Sequence, residues 1–513
     1  MRRGNRNHWM ALFVVALVGI TPACGAGRPD PAAFDRAPPP PATYDRSQLP
    51  SDFAGLSHFN HPGAPAPIAL PEPPVMDPNS RLQTLDVISV GLSVEMFRQG
   101  NVWKEVQKAS DFHSNVLPAP ESEHYQNADD PGVWEKRQDD TLELVLKSMV
   151  EAWPIPAVTV YRARTEELSP RLKEIHWNSI DNMRMPAGLH WTQINQLDVV
   201  YNDTPEDVVE ALFRTFERYP DLPAMLVYVK GPSGQYEDGK RVSNAPIATY
   251  AAMVVARRER VEWLRPWAPY TKMNVDEWWP QFNGWERSPS RAFEPTPFFP
   301  TPWTRTHFKQ WDALPTLARL HRPVVAALVD DEGATLKRKQ QEASLVAGWK
   351  AATQVAAPAR VFFDAGKPGS GIATLSPVLT ATQSELDLID PQEGIDLSAR
   401  LGEMSAASPF VGLVLATMAT SESGTPSMVV PLRRKDQATF MLLTQPEEKP
   451  GADAFDAKLM PQLSEGQDMP RQAPPEPEQN RAAPVYNSPT QVADDGRALN
   501  ALLDGLTGSP HEG

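Results

Sequence analysis

Leu197-Asp198-Val199-Val200-Tyr201-Asn202-Asp203-Thr204-Pro205-Glu206-Asp207-Val208-Val209 opens a unit that runs to Leu264 and decides the fold. Leu197-Asp198-Val199-Val200-Tyr201 is a short apolar run. Thr204 stands at an N-cap, Pro205 at the first helical position, and Glu206 and Asp207 in the first turn, where unpaired backbone N–H groups favour such residues. Val208, Val209, Leu212, Phe213 and Phe216 recur at helical spacing, so one face must be buried. Glu210 and Arg214, four apart, form an exposed pair. Pro220-Asp221-Leu222-Pro223 stops the helix, and residues 224–229 and 253–255 are buried strands. The result is a strand–helix–strand–strand unit without a catalytic motif. It specifies a fold and no reaction.

Before this unit, residues 87–92 predict a buried strand and residues 94–109 a helix with Phe97, Val102, Trp103 and Val106 as its apolar positions. Residues 110–138 are polar and irregular. Leu142, Val145, Leu146 and Met149 predict a helix over 141–152, ended by Pro154 and Pro156, and residues 157–161 a strand by β-branched content. After the unit, residues 265–315 are too rich in Pro for regular structure and too rich in aromatics for a loose linker. Their rings, Phe298, Phe299 and Trp303 among them, either form a partner-docking surface, since aromatics dominate interface energetics, or are buried beneath a long loop.

A second half repeats the grammar. A strand is expected over 324–329, a helix over 335–353, a strand over 361–363, a helix over 396–407, a strand over 410–418, and a closing strand pair over 428–432 and 439–443. Ala252-Met253-Val254-Val255 followed by Arg257-Arg258 resembles Ser427-Met428-Val429-Val430 followed by Arg433-Arg434. Two copies of one α/β unit are therefore expected. The fold class is α/β, with two similar α/β halves of mixed sheets and packed helices, flanked by disordered Pro-rich arms. The divisions are 1–26 (signal or anchor), 27–80 (spacer), 81–268 (first half), 269–322 (aromatic connector), 323–446 (second half) and 447–513 (acidic, Pro-rich tail).

The arms have their own logic. Arg2, Arg3 and Arg6 precede an almost purely apolar run, residues 9–20, followed by Thr21-Pro22-Ala23-Cys24-Gly25. A basic head, a short apolar run and small residues make a secretory signal. Cys24 falls where a bacterial lipoprotein is cleaved and lipidated, although Thr21 replaces the usual Leu. The arginines favour the cytoplasmic side, so the body is expected to be membrane-associated and periplasmic, with a cytoplasmic body as the alternative. Pro38-Pro39-Pro40-Pro41 and Pro71-Glu72-Pro73-Pro74 mark an extended spacer. Near the C-terminus, Leu499, Leu502, Leu503 and Leu506 share one face of a short helix that is marginal alone. It is either a docking motif that folds on binding or a chance leucine cluster.

Several chemistries can be weighed. Net charge is −15, which argues against a nucleic-acid partner. Cys24 is the single cysteine, so the body has no disulfide, thiolate metal site or cysteine nucleophile. Thiolase-like enzymes share a two-copy α/β body, but their chemistry needs such a cysteine. Ser93 in Gly91-Leu92-Ser93-Val94-Glu95 follows a strand, as a nucleophile elbow would, yet Glu95 replaces the second Gly at a tight turn. Gly366-Lys367-Pro368-Gly369-Ser370-Gly371 follows a strand, as a phosphate loop would, but its Lys precedes the glycines and no clear helix opens after it. His58 and His61 lie in the spacer, and His113, His124, His176, His190, His307 and His321 are scattered singly. No cofactor, metal or catalytic residue is assigned.

A resemblance adds what these residues cannot. Ile88-Ser89-Val90-Gly91-Leu92, Phe97-Arg98-Gln99-Gly100, Val102-Trp103, Ala256-Arg257-Arg258-Glu259-Arg260-Val261 with Arg265-Pro266, and Phe298-Phe299-Pro300-Thr301-Pro302-Trp303 resemble the type VI lipase adaptor family. So do Leu314-Pro315-Thr316-Leu317, His321-Arg322-Pro323, Ala347-Gly348-Trp349 and Arg400-Leu401-Gly402. The resemblance spans about residues 85–445. It implies a non-enzymatic adaptor that recruits a phospholipase toxin to the VgrG spike of a bacterial type VI secretion system, with protein partners and a membrane contact through the N-terminus. An adaptor loading a spike works in the cytoplasm, whereas this N-terminus points outward. The alternatives are an α/β hydrolase-like envelope enzyme using Ser93 and a tethered structural lipoprotein.

Overall fold

In the computed structural model the described residues are 70–112, 114–126, 128, 130–146, 149–150, 157–160, 196–198, 206–232, 234–270 and 291–446. The signal segment, most of the spacer, the tail, Cys24 and the four C-terminal leucines lie outside them, as do Thr204 and Pro205. Among the described residues no helix is long and apolar enough to cross a membrane.

The first half begins with β1 (Thr84–Val94), which turns back at once into β2 (Phe97–Arg98). Then come α1 (Gln99–Lys108), α2 (Pro131–Leu146), β3 (Ala157–Val160), β4 (Gln196–Asp198), α3 (Glu206–Arg218) and β5 (Ala224–Lys230). A small hairpin, β6 (Tyr236–Glu237) and β7 (Lys240–Arg241), leads to β8 (Thr249–Ala256). The unit that opened the sequence analysis is therefore present, with the hairpin inserted between its last two strands. Two boundaries differ from expectation. The helix expected from residue 94 starts at Gln99, because the chain first makes the β1–β2 turn with Glu95 at φ 50°. The helix expected at 141 starts ten residues earlier, at Pro131, where Asp130 accepts the Gly132 N–H at 2.8 Å. Pro131 and Gly132 at its start and the charged run over 135–140 conceal it.

The connector is more regular than its Pro content suggested. Residues Arg258–Tyr270 form a 3-10 helix, and Arg305–Ala313 form α4. Thr304 accepts the His307 N–H at 3.3 Å while His307 Nδ1 accepts the Thr304 N–H at 3.2 Å, a reciprocal cap that fixes where α4 starts.

The second half contains β9 (Ala318–His321), β10 (Val324–Ala327), α5 (Arg338–Ala352), β11 (Arg360–Asp364), α6 (Ser370–Thr382), β12 (Gly394–Asp396), α7 (Leu397–Leu401), α8 (Ser408–Ser423), β13 (Ser427–Pro431) and β14 (Gln437–Thr444). Three expectations are corrected here. The run over 410–418 is not a strand but part of α8, which is buried from Ser408 to Thr420. A helix apolar on every side shows no 3.6-residue stripe, so periodicity cannot separate it from a buried strand. The helix expected over 396–407 is broken up: Asp396 ends β12, and only the short α7 and a 3-10 turn at Ser405–Ala407 follow. A further helix, α6, was not expected, because Gly-rich residues open it and Pro377 lies inside it.

The strands of both halves join in a single mixed sheet, with the order β12-β11-β13-β14-β9-β1-β8-β5-β3-β4 and with β10 and β2 attached at its side. Read outward from the centre, each half runs first strand, last strand, then three strands joined by two parallel pairings and reached by crossovers. β1/β8 and β8/β5 are antiparallel, and β5/β3 and β3/β4 parallel. β9/β14 and β14/β13 are antiparallel, and β13/β11 and β11/β12 parallel. The halves thus share one topology and meet at the antiparallel β1–β9 pair, Thr84 opposite His321 and Val87 opposite Ala318. The sequence match of residues 252–255 with 427–430 is out of step by one strand, since β8 takes the place of β14 and not of β13.

α8 touches strands of both halves, β1 and β8 as well as β11, β13 and β14, so its apolar surface belongs to a core shared by the two. α5 and α6 pack together in a second core under the second half. Burying one such Leu, Val or Phe stabilises by about 1.5–3 kcal/mol, and the shared core supplies most of the driving force for joining the halves. At one point the packing is tight enough to forbid a side chain. A β-carbon at Gly91 would lie 2.5 Å from the Thr141 carbonyl oxygen and 2.7 Å from a Val145 methyl of α2. Gly91→Ala is expected to lower stability by about 1–3 kcal/mol through overpacking. An unchanged thermal midpoint would show that α2 can move away.

Candidate functional site

In an open α/β sheet, ligands bind beyond the carboxyl ends of parallel strands, where the order of connections reverses. β11 is such a place, since β12 lies on one side of it and β13 on the other. Each strand delivers a charged residue there. Asp364 ends β11, Asp396 ends β12, and Arg433 follows β13.

These groups consume one another. Asp364, 2 % exposed, accepts the Gly366 N–H at 2.8 Å and the Ser398 hydroxyl on one oxygen, and Arg433 Nε at 2.6 Å on the other. Arg433 Nη1 reaches Glu403 at 2.6 Å. Asp396 accepts the Gly369 N–H at 2.7 Å and the Ala399 N–H at 3.2 Å, and burial pushes its carboxyl above the ordinary range. Gly366 and Gly369 both sit at φ 77°, a backbone state that glycine adopts without strain. A helix, α6, does open after this glycine loop, which corrects the expectation that none would. The loop is still not a phosphate cradle. Two of its N–H groups are spent on the protein's own carboxylates, and those carboxylates would repel an anion.

The crevice is therefore plugged, and its neighbours tie the two halves together. Arg434 pairs with Asp207 of α3 at 2.9 Å, and Gln437 donates to the same carboxylate at 3.3 Å. Arg322, just after β9, reaches Glu210 and Glu217 of α3 at 2.5 Å each, and its guanidinium lies 5.5 Å from the centre of the Phe213 ring. The Glu210–Arg214 contact is present at 3.4 Å, but Glu210 mainly serves Arg322. On the far side Arg400, fully buried in α7, donates to the carbonyls of Asp111 and Ser114. That bond fixes the α1–α2 loop to the second half.

The residues singled out from sequence fall elsewhere. Ser93 is 2 % exposed, lies within β1 and donates to the Phe97 carbonyl at 3.4 Å. The turn after it leads into a strand and not a helix, so it is no nucleophile elbow. Glu95 tolerates the turn because its buried carboxylate accepts the Ala248 N–H at 3.1 Å and the Tyr236 hydroxyl. Burial raises the pKa of Glu95 and Tyr236 alike. Phe298, Phe299 and Trp303 are withdrawn from the docking surface offered above. All three are buried, and Trp303 packs edge-on against Phe299, Phe308 and Trp311 with centroids 5.4–5.7 Å apart. A patch this apolar is more stable covered than facing water.

His307 caps α4, and His321 shares a hydrogen bond with Thr444 at 2.9 Å. Among the described residues no cluster of His, Cys, Asp and Glu has metal-binding geometry. An open cleft of ≈ 480 Å³ lies between residues 121–126 and the β6–β7 turn, bordered by Glu121, Glu123, Asp238 and Lys240. Ser122, which lines it, shares a hydrogen bond with His124 Nδ1 at 2.7 Å and also accepts the His124 N–H at 3.4 Å, so this hydroxyl caps the Glu123–Tyr125 turn. The signal that could have found the plugged crevice was a charged residue placed directly after a buried strand: Asp364 after Val361-Phe362-Phe363, Asp396 after Ile395, and Arg433 two residues past Pro431.

Comparison with known proteins adds the family. A family model described as type VI lipase adapter protein Tla3, N-terminal, matches residues 83–243, and one described as the C-terminal part of the same protein matches residues 317–445. Among solved structures, the chain is similar to ketosynthase twelve of the bacillaene polyketide synthase from Bacillus amyloliquefaciens, at 9 % identity and a TM-score of 0.43, covering 71 % of this chain and 75 % of that one. It is also similar to the module 1 ketosynthase of the bacillaene synthase from Bacillus amyloliquefaciens FZB42, at 11 % identity and a TM-score of 0.42, covering 71 % and 73 %.

Proposed function

Because this chain belongs to the type VI lipase adapter protein family, we propose that it binds a phospholipase effector and delivers it to the VgrG spike of a type VI secretion system without catalysing a reaction itself. The ordered match of both family parts, over residues 83–243 and 317–445, carries this reading. The plugged crevice supports it, since Arg433 and the carboxylates of Asp364 and Glu403 neutralise one another there. The test is retention of the cognate phospholipase and spike protein on the immobilised full chain. Retention of both is expected. Failure to retain the phospholipase from solutions in which all three are folded would sink the proposal.

The hydrolase alternative is separated by Ser93→Ala. This change removes one long hydrogen bond and should alter stability by less than about 1 kcal/mol. Effector retention should be unchanged, and any esterase activity of the preparation should be the same in both proteins. Loss of such activity in the variant would favour the enzyme.

The reading extends to the membrane. The arginine-headed apolar run and Cys24 support a tether, with the 27–80 spacer holding the body outside the cytoplasm. An alkaline phosphatase fusion after residue 80 should then be active. An active fusion means that this member meets its effector in the envelope, and an inactive one places the body in the cytoplasm, the side on which spikes are loaded. Cys24→Ser should release the protein from membranes if the tether is a lipid.

A further inference from the structure

At the start of α3 a carboxyl group lies where its charge has no match. Glu206 is 4 % exposed, and its Oε2 is buried without a hydrogen-bond partner among the described residues. The charged groups facing it come from three elements. Asp207 is its neighbour on α3. Arg434 comes from the turn between β13 and β14, and Asp364 from the end of β11. Arg434 is the one cation of this set, and it already serves Asp207 and Asp436. Asp364 is held by Arg433. The amides at the α3 N-terminus and Arg434 favour the ionised form, but burial and the two other carboxylates outweigh them. The carboxyl is pushed up to about 7.

We propose that Glu206 is a proton-operated latch on the contact between α3 and the β13–β14 turn, closed while its carboxyl is neutral and weakened when it ionises. The neutral group leaves the Asp207–Arg434 pair undisturbed. Once ionised, it competes with Asp207 for Arg434 and repels both Asp207 and Asp364. That contact joins the first half to the second, so the charge acts on the junction and not on one half alone. The sign follows from the direction of the shift. A folded carboxyl that binds its proton more tightly than the unfolded chain does contributes stability at low pH, and that contribution fades as pH rises through about 7. This inference concerns the fold and does not depend on the partners proposed above.

The test is hydrogen exchange on the full chain at pH 6 and pH 8, corrected for intrinsic base catalysis, in peptides covering 206–218 and 427–444. The opening constant of these peptides should rise about tenfold between the two pH values. Peptides covering 338–352, which pack in the second core, should not follow. Glu206→Gln, which mimics the protonated group, should remove the pH dependence and keep protection at its pH 6 level. Glu206→Met, an apolar substitute of similar size, should do the same. A wild-type rise no larger than in residues 338–352 would overturn the latch without recourse to any variant. So would an undiminished rise in whichever variant folds.

Discussion

Asp364→Ala is expected to lower the stability of the body by about 3–5 kcal/mol, the usual cost of removing one partner from a buried charge network. The loss has three parts. Arg433 is left with Glu403 alone, the Ser398 hydroxyl loses its buried acceptor, and the Gly366 N–H that shapes the glycine loop is freed. Relief of Asp396 and Glu206, both of which feel the Asp364 charge, returns part of this and favours the lower end of the range. Asp364→Asn keeps an acceptor for Ser398 and Gly366, so it should recover part of the loss. Urea midpoints of the three proteins decide the matter. A change under about 1 kcal/mol for alanine would mean that the network is already solvated.

The second large effect is expected from Trp303→Ala, at about 3–5 kcal/mol, because a fully buried aromatic leaves a cavity its surroundings cannot refill. Trp303 is 1 % exposed and forms the hub of Phe299, Phe308 and Trp311. Arg258 holds the neighbouring ring, its guanidinium lying 6.0 Å from the Trp311 centroid. The measurement pairs the denaturation midpoint with effector retention per folded molecule. A core residue lowers the first and leaves the second alone. A drop in retention with an unchanged midpoint would restore Trp303 to a docking surface.

The legible parts of this fold are of two kinds, a helix with one wet face and buried strands that read as apolar runs closed by turn residues. α3 shows its stripe of Val208, Val209, Leu212, Phe213 and Phe216 because Arg214 and Arg218 border water. β1, β5 and β8 are short apolar runs closed by turn residues. α8 was misread because it has no wet face, and α6 was missed because Gly369, Gly371 and Pro377 are poor helix formers that tertiary packing overrides. The plugged crevice was missed for another reason. Asp364 and Asp396 end separate strands, Glu403 and Arg433 follow in separate loops, and only the sheet order brings them together. A motif search sees neighbours in sequence, and this cluster has none.

The central strand pair has a consequence for how the protein is made. β1 leaves the ribosome with one edge waiting for β8 and the other for β9, whose residues are more than two hundred positions away in the chain. β14, which fills the gap between β13 and β9, is the last of the described strands to be made. Until Thr444 has emerged, the nascent chain carries open strand edges and an unsatisfied apolar helix at its middle. Such long-range closure is slow and exposes the intermediate to aggregation. A ribosome stalled before residue 437 would therefore display a long-lived client for chaperones, and release of the last strand would end that state in one step.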